Sequence, residues 1–373
     1  MTTRRACSLI LPALLAVLSG CAIGDVRRTP PGPSNSASPI SPPPSPRPVA
    51  ETRTTRLAVP KKYDRPYVEF ADVRNGYALF AVCDGLPPGP ECPALLWSTR
   101  DGGLSWQQLR HPKPVADNQQ LYTAAGMLAL VAEPHGWWTS TDGGETFDHS
   151  PGLAAPPRWW AAEGRFRVID HSGTVGRWDG TMLRPLRTQP SIPALNTVVQ
   201  GDGRTVTAGG TEYRGPVVAA GAGEDGRLYA AISWDEGRSW ERTPVPTPDG
   251  EVGVLRAELA GGQLWLIGER PDRTSFPALW RLEASGWQPV SAQGHPESGQ
   301  AVPLGGLVAI VSPQGAGVVA GGWYMDLPWP VTSEHHLRLL PDDTLFAVSE
   351  EEILLGVGNL ADRTWTAVII ETI

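Results

Sequence analysis

The sequence predicts an all-β fold, a ring of four-stranded units repeated about seven times, on three observations. First, one octad is written three times: Thr99 to Trp106 (TRDGGLSW), Ser140 to Phe147 (STDGGETF) and Ser233 to Trp240 (SWDEGRSW). Each has a hydroxyl residue, Asp two places on, Gly four on, Ser or Thr six on and an aromatic seven on. Second, from about Arg56 to Ile373, short β-branched or aromatic runs alternate with Gly, Pro, Asp and Asn, and nothing sustains a helical period. Third, 42 Gly and 38 Pro supply frequent turns, and 15 Trp supply aromatic surface for packing strands. A chain of 373 residues exceeds one ordinary core, and the internal repeat resolves it into an array.

The N-terminus reads as an address. Arg4 and Arg5 precede an apolar run from Ala6 to Leu18, too short to span a bilayer, so residues 1–20 are expected to be a signal peptide. Leu18-Ser19-Gly20-Cys21 resembles the bacterial lipobox. That resemblance implies cleavage before Cys21, lipidation of Cys21 (palmitate) as the acylated first residue of the mature protein, and an anchor on the exported face of the cell membrane. More than one acyl chain would make the attachment stable. Residues 21–54 are assigned to the lipidated N-terminus and a stalk, because positions 29–48 hold nine prolines and five serines. Such a segment has too little apolar surface to fold and extends towards polyproline II. Residues 55–373 form the folded domain.

Within that domain only Cys83 and Cys92 remain, flanking a turn-rich loop, Asp84 to Glu91. In an exported compartment a loop-closing disulfide between them is the expected state.

The octads explain themselves as tight turns between strands. The Asp carboxylate accepts hydrogen bonds from the turn's own amides, the Gly supplies a positive φ, and the aromatic buries apolar area where the next strand begins. They resemble the Asp-box, or BNR, repeats of sialidase-type β-propellers. In that family the box joins the third and fourth strands of a blade, on the rim away from the ligand pocket. The resemblance therefore assigns structural roles to Thr99, Asp101, Gly103 and Trp106, to Ser140, Asp142, Gly144 and Phe147, and to Ser233, Asp235, Gly237 and Trp240. The box aspartates stand 41 and 93 residues apart, so the second gap holds two units and a degenerate one is expected at Arg165 to Leu186, with Asp179-Gly180 as its turn. Units of about 46 residues fill 55–373 seven times. Six larger blades also fit, because Ala194 to Val245 is long enough to hide an insertion. Asn359 to Trp365 reads as an eroded box in the last unit.

Chemistry is harder to read. The sialidase resemblance implies an arginine triad, a Tyr nucleophile assisted by Glu, and an Asp acid/base. The motif presenting the first arginine has no counterpart; Asp64-Arg65-Pro66-Tyr67 lacks its order, and Arg74, Arg167, Arg214 and Arg256 are scattered. Other glycosidases need two carboxylates facing across a pocket, and Asp72, Asp84, Asp170, Glu212 and Glu258 lie near strand ends. Trp137-Trp138 and Trp159-Trp160 could stack sugars, but blade packing is the commoner fate of such pairs. His335-His336 would point to opposite faces of a strand and so would not share a metal. No metal and no cofactor are expected, and no catalytic residue is assigned. A net charge of −8 and no evident basic patch disfavour nucleic acid. The expected function is a membrane-anchored binding or scaffold propeller, its ligand a glycan or a cell-envelope protein. The alternatives are an exported glycoside hydrolase of the sialidase kind and an assembly factor resembling the photosystem II stability factors.

Overall fold

The computed structural model describes residues 49–82, 93–113, 115, 119–124, 126–169, 173–201, 205–208 and 211–373. The leader, Cys21, most of the stalk, Cys83 and Cys92 lie outside them, so the anchor and the disulfide remain expectations. The described residues form a seven-bladed β-propeller. Blade 1 runs Tyr67–Phe70, Gly76–Ala81, Ala94–Thr99 and Gln107–Leu109 from the axis outward. Blade 2 runs Gln120–Ala124, Met127–Ala132, Gly136–Ser140 and Asp148–Ser150. Blade 5 starts at Val254–Ala260, blade 6 at Gln300–Leu304 and blade 7 at His336–Leu339, each with four antiparallel strands. Consecutive first strands lie side by side, as those of blade 4 (Ala194–Gln200) and blades 5, 6 and 7 do, which puts them around the axis.

Sequence pattern follows position in the blade. Gly76–Ala81 (GYALFA) is apolar throughout and buried at five of six positions, because a second strand is covered on both faces by neighbouring blades. First strands alternate instead, as in Gln120–Ala124 (QLYTA), whose Leu121 is buried between exposed Gln120 and Tyr122. Seven apolar clusters fill the seven seams between blades. The one joining Phe346 and Leu355 of blade 7 to Phe70 and Phe80 of blade 1 closes the ring.

Blade 7 carries a fifth strand, Glu51–Leu57, paired parallel to Thr364–Thr372. Strand structure therefore begins at Glu51, inside the stretch that composition assigns to the stalk. This strand also holds blade 1. The Arg53 guanidinium donates to the Gly102 carbonyl at 2.9 Å, and the Thr55 hydroxyl donates to the Gly103 carbonyl at 3.1 Å.

Blade 3 departs from the expected all-strand grammar. Phe166–Val168, Val175–Trp178 and Leu183–Pro185 form its sheet, with the Asp179 turn in place, and among the described residues no fourth strand joins them. A short helix, Pro157–Glu163, occupies the chain position of the first strand. Pro at its first position suits its start, and Gly164, at φ 109° and ψ 159°, ends it in a conformation that glycine adopts far more readily than other residues. It is held by Trp159, which buries itself against Met127 and Ala129 of blade 2. The long fourth unit contains the insertion that its length allows: a hairpin, Thr205–Ala208 with Thr211–Arg214, between the first two strands of a four-stranded blade. Asn359 to Trp365 is a 3₁₀ turn, Leu360–Asp362, between the third and fourth strands of blade 7.

Each octad is a turn built on one carboxylate. In the second, Asp142 Oδ1 accepts from the amides of Glu145 and Thr146 at 3.0 Å and from the Ser140 hydroxyl at 2.7 Å, while Oδ2 accepts from the Thr146 hydroxyl at 2.6 Å. The Gly144 amide donates to Ser140 Oγ at 2.8 Å. The octads at Asp101 and Asp235 repeat this scheme. The shared glycine has a second reason besides its φ of about 90°. A Cβ at Gly103, Gly144 or Gly237 would lie 2.6, 2.5 or 2.6 Å from Val368, Leu109 or Leu186 respectively. All three neighbours belong to the outer part of the preceding blade, so each box leans on the blade before it.

Candidate functional site

The axis is where side chains from different blades converge. Tyr67 and Glu69 stand two apart on the first strand of blade 1, and Arg338 comes from the first strand of blade 7. The Tyr67 hydroxyl donates to Glu69 Oε1 at 3.0 Å, and Arg338 pairs with Glu69 Oε2. Arg338 also reaches the Phe70 carbonyl at 3.4 Å. Glu69 is 8 % exposed, and both its oxygens are engaged. Partial burial, with the Glu69 charge next in weight, pushes the Tyr67 phenol up to about 12. The space beside this set, lined by Phe70, Thr123, Ala124 and Arg338 to Pro341, is about 110 Å³. That is well below the roughly 300 Å³ of the smaller ligand pockets.

The carboxylates proposed from sequence do not gather here. Asp72 caps a turn, accepting from the amides of Arg74 and Asn75 at 2.8 Å. Glu258 pairs with Arg256 on blade 5, and Arg256 also bonds Glu269 at 3.1 Å. Asp84 and Asp170 lie outside the described residues, and Glu212 is on the inserted hairpin. The arginines are equally dispersed: Arg167 sits 5.4 Å over Trp160, and Arg214 ends the hairpin. Arg65 bonds the Glu350 carbonyl.

The tryptophan pairs are packing elements. Trp138 is buried and stacks on His149 at 4.6 Å, while Trp137 and Trp159 meet at 5.6 Å where the helix meets blade 2. Trp159-Trp160 lie on the helix rather than before an ordinary first strand. His335 is buried in a loop, where its Nδ1 accepts from the Thr332 amide at 3.2 Å and its Nε2 faces Glu352 at 3.4 Å; His336 is exposed on its strand. Among the described residues no group of three or more His, Cys, Asp and Glu is placed to hold a metal ion.

A larger recess opens on the face carrying the connections between blades, opposite the boxes. It is about 530 Å³ and runs along Thr247 to Asp249, Phe276 to Trp280 and Pro289 to Gln293. Its walls mix apolar and polar groups: Phe276 stacks on His295 at 4.0 Å, Thr247, Asp249 and Gln293 stand beside Leu279 and Trp280, and Arg270 is committed to the carbonyls of Phe276 and Glu251. Sequence reading missed both this recess and the axial set. Tyr67 and Glu69 carry a weak signal, two polar residues on one strand face, but Arg338 lies 269 residues from Glu69.

No known protein family matches the chain, and no curated protein matches it in sequence. Solved propellers resemble it in fold. YCF48 bound to a D1 peptide is 15 % identical over 84 % of this chain and 94 % of that one, with a TM-score of 0.42. The β-propeller domain of the Trilobed protease from Pyrococcus furiosus is 10 % identical over 81 % and 98 %, with a TM-score of 0.44. Trypanosoma rangeli sialidase in complex with the inhibitor DANA is 11 % identical over 83 % and 55 %, with a TM-score of 0.30.

Proposed function

We propose that this chain is an exported, lipid-anchored protein whose propeller is a binding or scaffold module and not a catalyst. The observation that carries this reading is the closed axial network. Glu69 has no free oxygen, since Tyr67 and Arg338 take one each. A phenol raised to about 12 stays protonated at neutral pH, which suits a hydrogen-bond donor and not a nucleophile. The recess of about 530 Å³ on the connecting-loop face, lined by Phe276, Leu279 and Trp280 together with polar groups such as Asp249 and Gln293, is of the size of binding pockets. The anchor rests on the lipobox at Cys21.

One observation favours a second reading. Tyr, Glu and Arg side by side are residue types that the sialidase resemblance calls for, so a glycoside hydrolase stands next in order. Assay of the full chain on fluorogenic sialosides and neutral aryl glycosides separates the two. The binding reading expects no turnover. Turnover that falls a hundredfold or more in Glu69→Gln, at unchanged melting temperature, would establish the hydrolase, on the scale of general acid–base contributions of about 10²–10⁴.

A further inference from the structure

The chain is acidic, at −8, and its sequence shows no basic run, yet the fold gathers four arginines around one cleft. The cleft, about 650 Å³, lies on the box side of blade 3, where the end of the helix meets the outer two strands. Arg165 follows the helix; Arg177 is next to last on one strand; Arg184 and Arg187 come from the next strand and beyond. Arg177 is paired with Glu236 of the neighbouring box at 3.2 Å, and Arg184 is paired with Asp179. Arg165 and Arg187 are exposed and have no ion-pair partner among the described residues. Among the described residues, Asp179 and Glu236 pair with two of the four arginines, and Arg165 and Arg187 are left without an ion-pair partner.

We infer that this cleft binds an acidic peptide segment, with Arg165 and Arg187 taking two carboxylates and an apolar side chain lying between them. Guanidinium groups bind carboxylates through paired charge-assisted hydrogen bonds, which two unpaired arginines at one cleft can supply. The rest of the lining decides between anionic ligands. Ala161, Trp178, Pro185 and Leu186 offer aliphatic and aromatic surface. An acidic glycan would also need acceptors for its hydroxyls, and the one carboxylate in the lining, Asp179, is already bonded to Thr181, Met182 and Arg184. A nucleic acid backbone would need a basic track, whereas these arginines are confined to one cleft. Trp178, stacked on Trp160 at 6.4 Å, closes one side and gives the site its own fluorophore. This site is separate from the axis and the loop-face recess, so it stands whichever reading of the axis holds.

The test titrates the full chain with a five-residue peptide alternating glutamate and leucine, followed by tryptophan fluorescence and calorimetry at 50 and 300 mM salt. The expected result is saturable binding that weakens with salt and a fluorescence change that Trp178→Phe abolishes. R165E/R187E and the milder R165Q/R187Q should weaken binding about tenfold or more, since charge-assisted hydrogen bonds are worth roughly that each. The control R110E/R273E makes the same change of net charge at exposed arginines outside the cleft and should leave binding unchanged. Three results would each overturn the inference: no saturable binding to the wild-type chain, equal weakening in the control, or tighter binding of trigalacturonate than of the peptide. Circular dichroism melting of each variant shows that a loss of binding is not a loss of fold.

Discussion

At the scale of single residues, the box aspartates illustrate how a repeated, acidic, conspicuous residue can be wholly structural. Asp142 collects two amides and two hydroxyls, and those hydrogen bonds, led by that from the Thr146 side chain, hold its carboxyl well below the ordinary range. Asp235 is held down to about 2, led by the Ser239 hydroxyl. A folded-state value below the unfolded one means stability that is fully present above the unfolded value near 3.8 and lost as pH falls through the folded value. Melting temperature should therefore be flat from neutral pH to about 4.5 and drop between about pH 4 and 2. Asp142→Ala should lower the melting temperature at pH 7 by several degrees and make the acid drop shallower. An unchanged acid profile in that variant would show that the carboxylate does not hold the turn.

At the scale of elements, the helix Pro157–Glu163 marks the seam with the fewest buried apolar residues among those described. Three buried residues, Met127, Ala129 and Trp159, form the cluster between blades 2 and 3, against eleven between blades 4 and 5. Trp159→Ala removes the helix's main anchor, and large-to-small changes at buried aromatic positions cost about 3–5 kcal/mol. The loss should be local because the other six seams stay filled. Hydrogen exchange should rise across residues 157–168 while the second strands of blades 5 and 6 keep their protection. A uniform rise over the whole propeller would show instead that the seam is coupled to all the others. The inner position of blade 3 reads poorly in sequence for a related reason. Seven residues are too few for a helical period to show, and PRWWAAE has the aromatic content of a strand.

At the scale of the whole molecule, the ring is closed twice over. The blade 7 to blade 1 cluster closes it through side chains, and the parallel strand Glu51–Leu57 ties blade 7 to the box of blade 1. The lipid anchor proposed at Cys21 would lie about thirty residues before this strand in sequence. Cys21→Ala should move the protein from the detergent to the aqueous phase in phase partitioning while leaving its melting temperature unchanged. Retention of the variant in the detergent phase would refute acylation at this residue.

The sequence by itself determined the all-β fold, the strand pattern, the box turns and a blade repeat that counts to seven. These are local properties. An octad closes its hydrogen bonds within eight residues, strand alternation depends on a period of two, and the spacing of the boxes repeats the unit length. Only the tertiary structure decided the helix in blade 3, the fifth strand on blade 7 and every grouping of polar side chains. Glu69 meets Arg338, and Arg53 meets the first box, because ring closure brings the two ends of the domain together. The four cleft arginines are spread over 23 positions of sequence and share a surface because the Asp179 turn, the strands it joins and the helix end fold to the same side of blade 3. Turn chemistry is written in adjacent letters, whereas a binding surface on a propeller is assembled from residues whose nearness depends on how strands and blades pack.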